Sequence, residues 1–167
     1  MLVEAKESAS SPKAIAHYLV DLRPFVQSAS GMRNEFVREI GMLMEHAKRR
    51  DRWLVAQETL RIGREQGNVF RRIRAQIAIM KIPDVCVRCH QSAIKWLEKQ
   101  IATCDLMVEV GTDNNLGRLQ EAHYLFAEGR IYARQFNSNY QELVQLVRTR
   151  VNDVRQKRIA RRSSFAS

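Results

Sequence analysis

The clearest helical pattern in the chain lies at residues 87–108, which read VRCHQSAIKWLEKQIATCDLMV. One set of positions recurs at alternating steps of three and four residues, as expected for the buried face of an α-helix. These positions are Val87, His90, Ile94, Leu97, Ile101, Cys104 and Val108. The segment therefore predicts an amphipathic helix over about 84–110, beginning after Pro83.

A second helix is predicted over 12–29, where the Ser11-Pro12 pair provides a favourable N-cap and first turn. Pro24 lies inside this segment and is expected to kink or interrupt the helix, because proline lacks a backbone donor. Gly31 marks its predicted end.

The longest apolar seam runs over residues 32–80 at helical spacing, with one charged member, Arg50. It fits either one long helix or several, joined at 48–52 and at 63–68. We favour a break at Gly67-Asn68, a typical stop-and-recap pair. Whether residues 31–81 form one helix or several stays open at this point. Its members are Met32, Phe36, Ile40, Leu43, Ala47, Arg50, Trp53, Ala56, Leu60, Gly63, Gly67, Phe70, Ile73, Ile77 and Met80.

The last helical segment is predicted over 115–160, after a turn at Gly111-Thr-Asp-Asn-Asn115. Asn137-Ser138-Asn139 is a candidate interruption of this helix. If the chain turns back there, its final basic segment returns alongside residues 64–74. If the helix runs straight, the same segment projects beyond the other helices.

The composition agrees with an all-α fold, because the 167 residues include only seven glycines and three prolines and no segment alternates like a strand. We predict long helices in an antiparallel bundle or in stacked helical hairpins. The predicted organisation is a flexible leader (1–11), a single bundle domain (12–160) and a flexible basic and serine-rich tail (161–167). No signal peptide or transmembrane segment is recognisable, which predicts a cytoplasmic protein.

The charge is strongly basic, with 28 Lys and Arg against 18 Asp and Glu and a net charge of +10. The excess lies in two segments, since residues 45–74 carry +5 and residues 148–162 carry +6, whereas residues 83–147 carry −2. Arginine forks suit phosphate and carboxylate groups, so these segments are candidate polyanion-binding sites. The candidate residues are Arg49, Arg50, Arg52, Arg71, Arg72, Arg74, Arg148, Arg155, Lys157 and Arg158.

The sharpest motif is Cys86-Val-Arg-Cys89-His90, because C-x-x-C-H is the attachment signature of c-type haem. A zinc site is the other metal alternative, and it needs a dimer sharing Cys86 and Cys89, since a structural site has four ligands. Without a cofactor, which is the expectation we favour, these cysteines are free thiols at a helix start. The helix dipole is then expected to lower their pKa and make them redox-sensitive.

The sequence contains no recognisable catalytic motif, and we predict a non-enzymatic helical interaction or scaffold protein. The seam over 32–80 holds more apolar surface than a small hairpin buries alone, which predicts a homo-oligomer or a helical partner protein. The arginine-rich segments predict an acidic partner. The alternatives left open are a sequence-nonspecific nucleic-acid-binding protein and a metal- or haem-binding protein.

Overall fold

The computed structural model describes residues 11–48 and 51–164, excepting the side chains of 161–164. This part of the chain forms four long helices and contains no β-strand, as the sequence predicted. Short 3₁₀ turns at Asp84–Cys86 and Leu116–Arg118 lead into the third and fourth helices. The helices are α1 (Pro12–Ala47), α2 (Arg52–Ala78), α3 (Val87–Asp113) and α4 (Leu119–Ser164).

Consecutive helices pack antiparallel, as their contacts show. The contacts between α3 and α4 run in opposite order along the two helices: Lys99 pairs with Glu128, whereas Ser92, nearer the start of α3, accepts a hydrogen bond from Asn139 further along α4. Helix α1 closes the bundle against α2 and α4, where the Phe36 ring packs edge-on against those of Phe70 and Phe126. The predicted antiparallel helical bundle is therefore confirmed.

The core follows a seven-residue repeat, because each helix buries a residue at every seventh position. This spacing keeps one seam of each helix facing its neighbours when helices cross at small angles. The buried series are Ile15, Leu22, Ala29, Phe36 and Leu43; Ala56, Gly63, Phe70 and Ile77; His90, Leu97, Cys104 and Gly111; and Ala122, Gly129, Phe136 and Leu143.

Helix α1 corrects the predicted boundary at Gly31, because a single 36-residue helix continues through both Pro24 and Gly31. Pro24 is exposed, so the carbonyl that loses its backbone partner is on the side of the helix that water reaches. The buried series runs through Ala29 and Phe36 without a change of register. Packing of that continuous seam outweighs the low helix propensity of Gly31.

The predicted break at Gly67-Asn68 is also wrong, because α2 is unbroken there and the chain turns instead between Ala47 and Arg52. Gly67 is needed for close packing: a Cβ at this position would lie 3.2 Å from the Cβ of Cys104 on α3. Residues 31–81 therefore form parts of two helices. Trp53, assigned to the seam, is 59% exposed, and Arg50 lies outside the described residues.

The turn before α4 differs in detail from the predicted one. Helix α3 continues to Asp113, and the residue with a left-handed backbone is Asn114, at φ 52°. Gly111 instead packs against α2. The predicted interruption at 137–139 does not occur, because Asn139 lies within α4 and donates a hydrogen bond to Ser92 over 2.8 Å.

The apolar seam over 32–80 is buried largely within the bundle itself. Phe36, Leu43, Phe70 and Ile77 are all at most 2% exposed, because α3 and α4 cover the α1–α2 hairpin. The surface from which an oligomer was predicted is thus already covered, and the oligomer stays a prediction without that support.

Two ends of the chain were predicted to be flexible. Residues 1–10 of the predicted leader and 165–167 of the predicted tail lie outside the described residues, while Ser11 caps α1 and α4 continues to Ser164. None of the described helices combines the length and the apolar character that crossing a bilayer requires.

Candidate polyanion-binding surfaces

The last part of α4 extends beyond the helices against which the rest of α4 packs. Leu143 is buried and Val147 packs at the edge of the core, but every residue at 151–160 is exposed. At about 1.5 Å per residue, residues 151–164 extend for about 21 Å. Of the two arrangements predicted, α4 adopts the straight one. We call residues 148–164 the projecting arm.

The projecting arm combines basic and apolar side chains. Five basic residues and a single acidic one, Asp153, occur at 148–160. The predicted binding residues Arg148, Arg155, Lys157 and Arg158 are all exposed here. Val151 and Val154 are also about half exposed, at 51% and 48%. The arm thus presents both charge and apolar surface to a partner.

The predicted residues on α2 are in a different situation. Arg71 pairs with Asp105 and Arg74 pairs with Glu98, so both guanidinium groups connect α2 to α3. These pairs are nearly half exposed to solvent, and each contributes about 0–1 kcal/mol to folding. Arg52 and Arg72 are exposed. The remaining two candidates, Arg49 and Arg50, lie outside the described residues.

The two basic segments do not form one surface. Arg74 contacts Glu98, and the next residue, Lys99, contacts Glu128, which places Arg74 level with the early part of α4. From there to Arg148 the helix rises by roughly 30 Å. The arrangement in which α4 turns back and brings the two basic strips side by side is therefore wrong.

Cys86, Cys89 and His90 lie in the core at the start of α3, where their exposures are 0%, 1% and 6%. The His90 Nδ1 atom lies 3.4 Å from the Tyr18 hydroxyl of α1, so this histidine has a polar partner in the core. Among the described residues, no three His, Cys, Asp or Glu side chains converge as metal ligands. A zinc ion shared between two copies needs surface cysteines, and this geometry does not provide them. The metal and haem alternatives stay predictions without structural support.

The expectation of redox-sensitive thiols is wrong in the direction of its pKa shift. Burial raises the pKa of Cys86 to about 11, and burial followed by the proximity of Cys86 raises the pKa of Cys89 to about 12. Cys104 is also buried, and its pKa is raised to about 12. Desolvation of the thiolate therefore outweighs the helix dipole, and all three groups are neutral thiols near pH 7.

A second group of arginines was missed by the sequence analysis. Arg33 on α1 and Arg130 and Arg134 on α4 line a cavity of about 370 Å³, whose inner side includes Trp96 of α3. We call this cavity the arginine pocket. Burial, and secondarily the positive charge of Arg130, lower the pKa of Arg33. The net charge of −2 over residues 83–147 concealed Arg130 and Arg134, although their i, i+4 spacing places both on one helix face.

No protein-family model, curated protein or solved structure matches this chain in comparisons with known proteins. Its function is therefore inferred from the geometry of its own residues.

Proposed function

We propose that this chain is a non-catalytic helical interaction protein that binds an acidic partner protein through the projecting arm. The observation that supports the proposal is the exposure of every residue at 151–160 in a helix that carries an excess of basic side chains. Guanidinium groups there bind carboxylates in a two-point geometry, which an acidic protein surface can match.

The apolar side chains favour a protein partner over nucleic acid. Val151, Val154, Arg155 and Arg158 follow i, i+3, i+4 and i+7 spacing, and so lie on one face of the arm. Burial of apolar surface stabilises a complex by about 25 cal/mol per Å², and a groove on a protein offers that burial. The backbone phosphates of nucleic acid would interact with the arginines but offer no apolar surface to the valines.

Helix energetics also support a partner for the arm. A short helical segment that is exposed on all sides is marginally stable in water, and its clustered positive charges repel one another. An acidic groove would offset this repulsion and order the arm as a helix. Binding is therefore expected to reduce fraying of the C-terminal part of α4.

The proposal is tested with the full-length protein and a labelled helical peptide that has leucines at i, i+3, i+4 and i+7 and glutamates elsewhere. Anisotropy should detect binding that weakens about ten-fold in the double variant Arg155→Glu/Arg158→Glu. Val151→Ser/Val154→Ser should also weaken binding, at unchanged charge. Arg64→Glu/Arg72→Glu is the matched control with the same change of net charge, because both arginines are exposed on α2, away from the arm.

A DNA duplex with the same label separates the alternatives. Tighter binding to the duplex than to the peptide, with no effect of the valine substitutions, would contradict a protein partner and support nucleic-acid binding. An equal loss of peptide binding in Arg64→Glu/Arg72→Glu would also overturn the proposal, because net charge alone would then explain the binding.

A further inference from the structure

We infer that the arginine pocket is a second binding site, which takes a small phosphate-bearing anion. The pocket lies between α1, α3 and α4 and is lined by Arg33, Arg130 and Arg134. It is separate from the projecting arm, because Arg134 precedes Arg148 by fourteen helical positions, or about 21 Å.

The polar lining of the pocket consists of groups that can donate hydrogen bonds. The lining includes three guanidinium groups and the side-chain amides of Asn34 and Asn137. No acidic side chain of the described chain lines the cavity. None of the three arginines has a carboxylate within ion-pair distance among the described residues. They contrast with Arg71 and Arg74 on α2, which are both paired. A bound anion would supply the missing counter-charge.

Arg33 is held in place for such a ligand. Its Cζ atom lies 5.2 Å from the centroid of the Phe126 ring, so the guanidinium group stacks on an aromatic face that leaves its N–H edges available. Burial is the main cause that lowers the pKa of Arg33, and the positive charge of Arg130 lowers it further, so the two charges are close enough to disfavour each other. Binding of an anion removes that repulsion.

Trp96 lines the pocket and can report on its occupancy. This side chain lines the pocket and is 4% exposed, yet its indole N–H has no hydrogen-bond acceptor among the described residues. Buried donors are nearly always paired in folded proteins. The nitrogen atom itself is fully enclosed by protein atoms, so the arginines and the asparagine amides, rather than this N–H, are the donors to an anion in the cavity.

The number of donors favours phosphate over carboxylate. Each guanidinium group can donate a pair of hydrogen bonds to an oxyanion, so three groups match the three terminal oxygens and greater charge of a phosphate ester better than the two oxygens of a carboxylate. The volume of about 370 Å³ is at the small end of ligand-binding cavities. The pocket therefore suits a small phosphorylated molecule rather than a polymer.

Trp96 also makes the test specific. The only other tryptophan, Trp53, is exposed at the start of α2, so Trp53→Phe leaves Trp96 as the sole indole emitter. Titration of this full-length variant with inorganic phosphate should change its emission in a saturable manner. Arg130→Ala and Arg134→Ala, at two exposed positions, should each weaken binding about ten-fold. Arg64→Ala is the matched control and should bind like the parent.

Each outcome decides the proposal. An emission that does not respond to phosphate, or that responds equally in Arg130→Ala and in the parent, overturns it. Acetate tests the class of anion: binding as tight as that of phosphate would overturn the assignment to phosphate. Retained phosphate binding in Arg155→Glu/Arg158→Glu would separate this site from the projecting arm, and its loss there would overturn the claim of two sites.

Discussion

The close approach of α2 and α3 predicts that two glycines do not tolerate a methyl group. A Cβ at Gly111 would lie 2.6 Å from both the carbonyl oxygen of Ala56 and the amide nitrogen of Leu60. At Gly63, it would lie 2.7 Å from the carbonyl oxygen of Cys104. These neighbours are backbone atoms, so the two helices must separate to admit the methyl group.

The expected magnitude follows from two opposing effects. Overpacking of a core costs about 1–3 kcal/mol, and more where the backbone must move. Replacement of glycine by alanine in a helix otherwise stabilises the folded protein by about 0.5–1 kcal/mol, because alanine restricts the unfolded chain and favours the helix. We therefore expect Gly111→Ala and Gly63→Ala each to lower the free energy of unfolding by about 1–2 kcal/mol. In a chain of 167 residues this is a fall in Tm of roughly 2–8 °C.

Matched controls are present in α1, where a methyl group added at Gly31 or Gly41 would have no atom within 4 Å. Gly31→Ala and Gly41→Ala should raise Tm by roughly 1–4 °C. Gly129→Ala should fall between the two groups, because its nearest neighbour is the Gln100 side-chain amide at 2.7 Å, which can rotate away. Thermal unfolding followed by circular dichroism measures all five variants. Equal stability of Gly111→Ala, Gly63→Ala and Gly31→Ala would refute the close approach.

Three further predictions concern buried polar groups. Gln100 is fully buried, and neither the oxygen nor the nitrogen of its amide has a hydrogen-bond partner among the described residues. Gln100→Met should therefore raise the free energy of unfolding, measured in denaturant titrations, by about 1–3 kcal/mol. A loss of stability in this variant would show that the amide is satisfied. Burial lowers the pKa of His90 in the folded protein below its ordinary value of 6.5. As the pH falls, His90 is therefore protonated in the unfolded chain before it is protonated in the folded protein, and the free energy of unfolding should decrease below about pH 6.5. That part of the pH dependence should disappear in His90→Gln and persist in a control, His123→Gln, and its persistence in both would contradict the assignment. The third prediction concerns the buried thiols of Cys86, Cys89 and Cys104. They should react with a thiol reagent near neutral pH only when the protein unfolds, and rapid labelling of the native protein would contradict their burial.

The periodicity of apolar residues was sufficient to predict the fold class. The helix boundaries were predicted wrongly, because glycine and proline were interpreted as helix breaks. Gly31 and Gly67 were interpreted as breaks because isolated glycines disfavour helices. In the folded chain Gly67 lies against Cys104, where a side chain would crowd the neighbouring helix. A glycine that ends a helix and one that admits a neighbouring helix look alike in a single sequence. Tertiary packing, which the local pattern does not contain, distinguishes them.

Charge counts predicted a basic surface made of residues that are close in sequence, but not the charged contacts between different helices. Counting charges by segment identified the basic end of α4, because those residues are neighbours in both sequence and space. The same count could not foresee that Arg71 and Arg74 would be neutralised by Asp105 and Glu98 of another helix. It also missed the arginine pocket, since Arg33 is about 100 positions from Arg134. Such sites depend on the register between helices, which charge counts do not contain.

The limits of the bundle, by contrast, follow from its seven-residue repeat. On α4 the buried series Ala122, Gly129, Phe136 and Leu143 continues to Arg150 and then Lys157. Long charged side chains keep their charged ends in water, so the fully buried series of α4 ends at Leu143, and Val147 packs only at the edge of the core. Helix propensity does not end there, because the following residues include good helix formers and no proline or glycine. The residues that end the packing without ending the helix therefore create the projecting arm, and two of its basic side chains, Arg150 and Lys157, occupy positions of the seven-residue repeat.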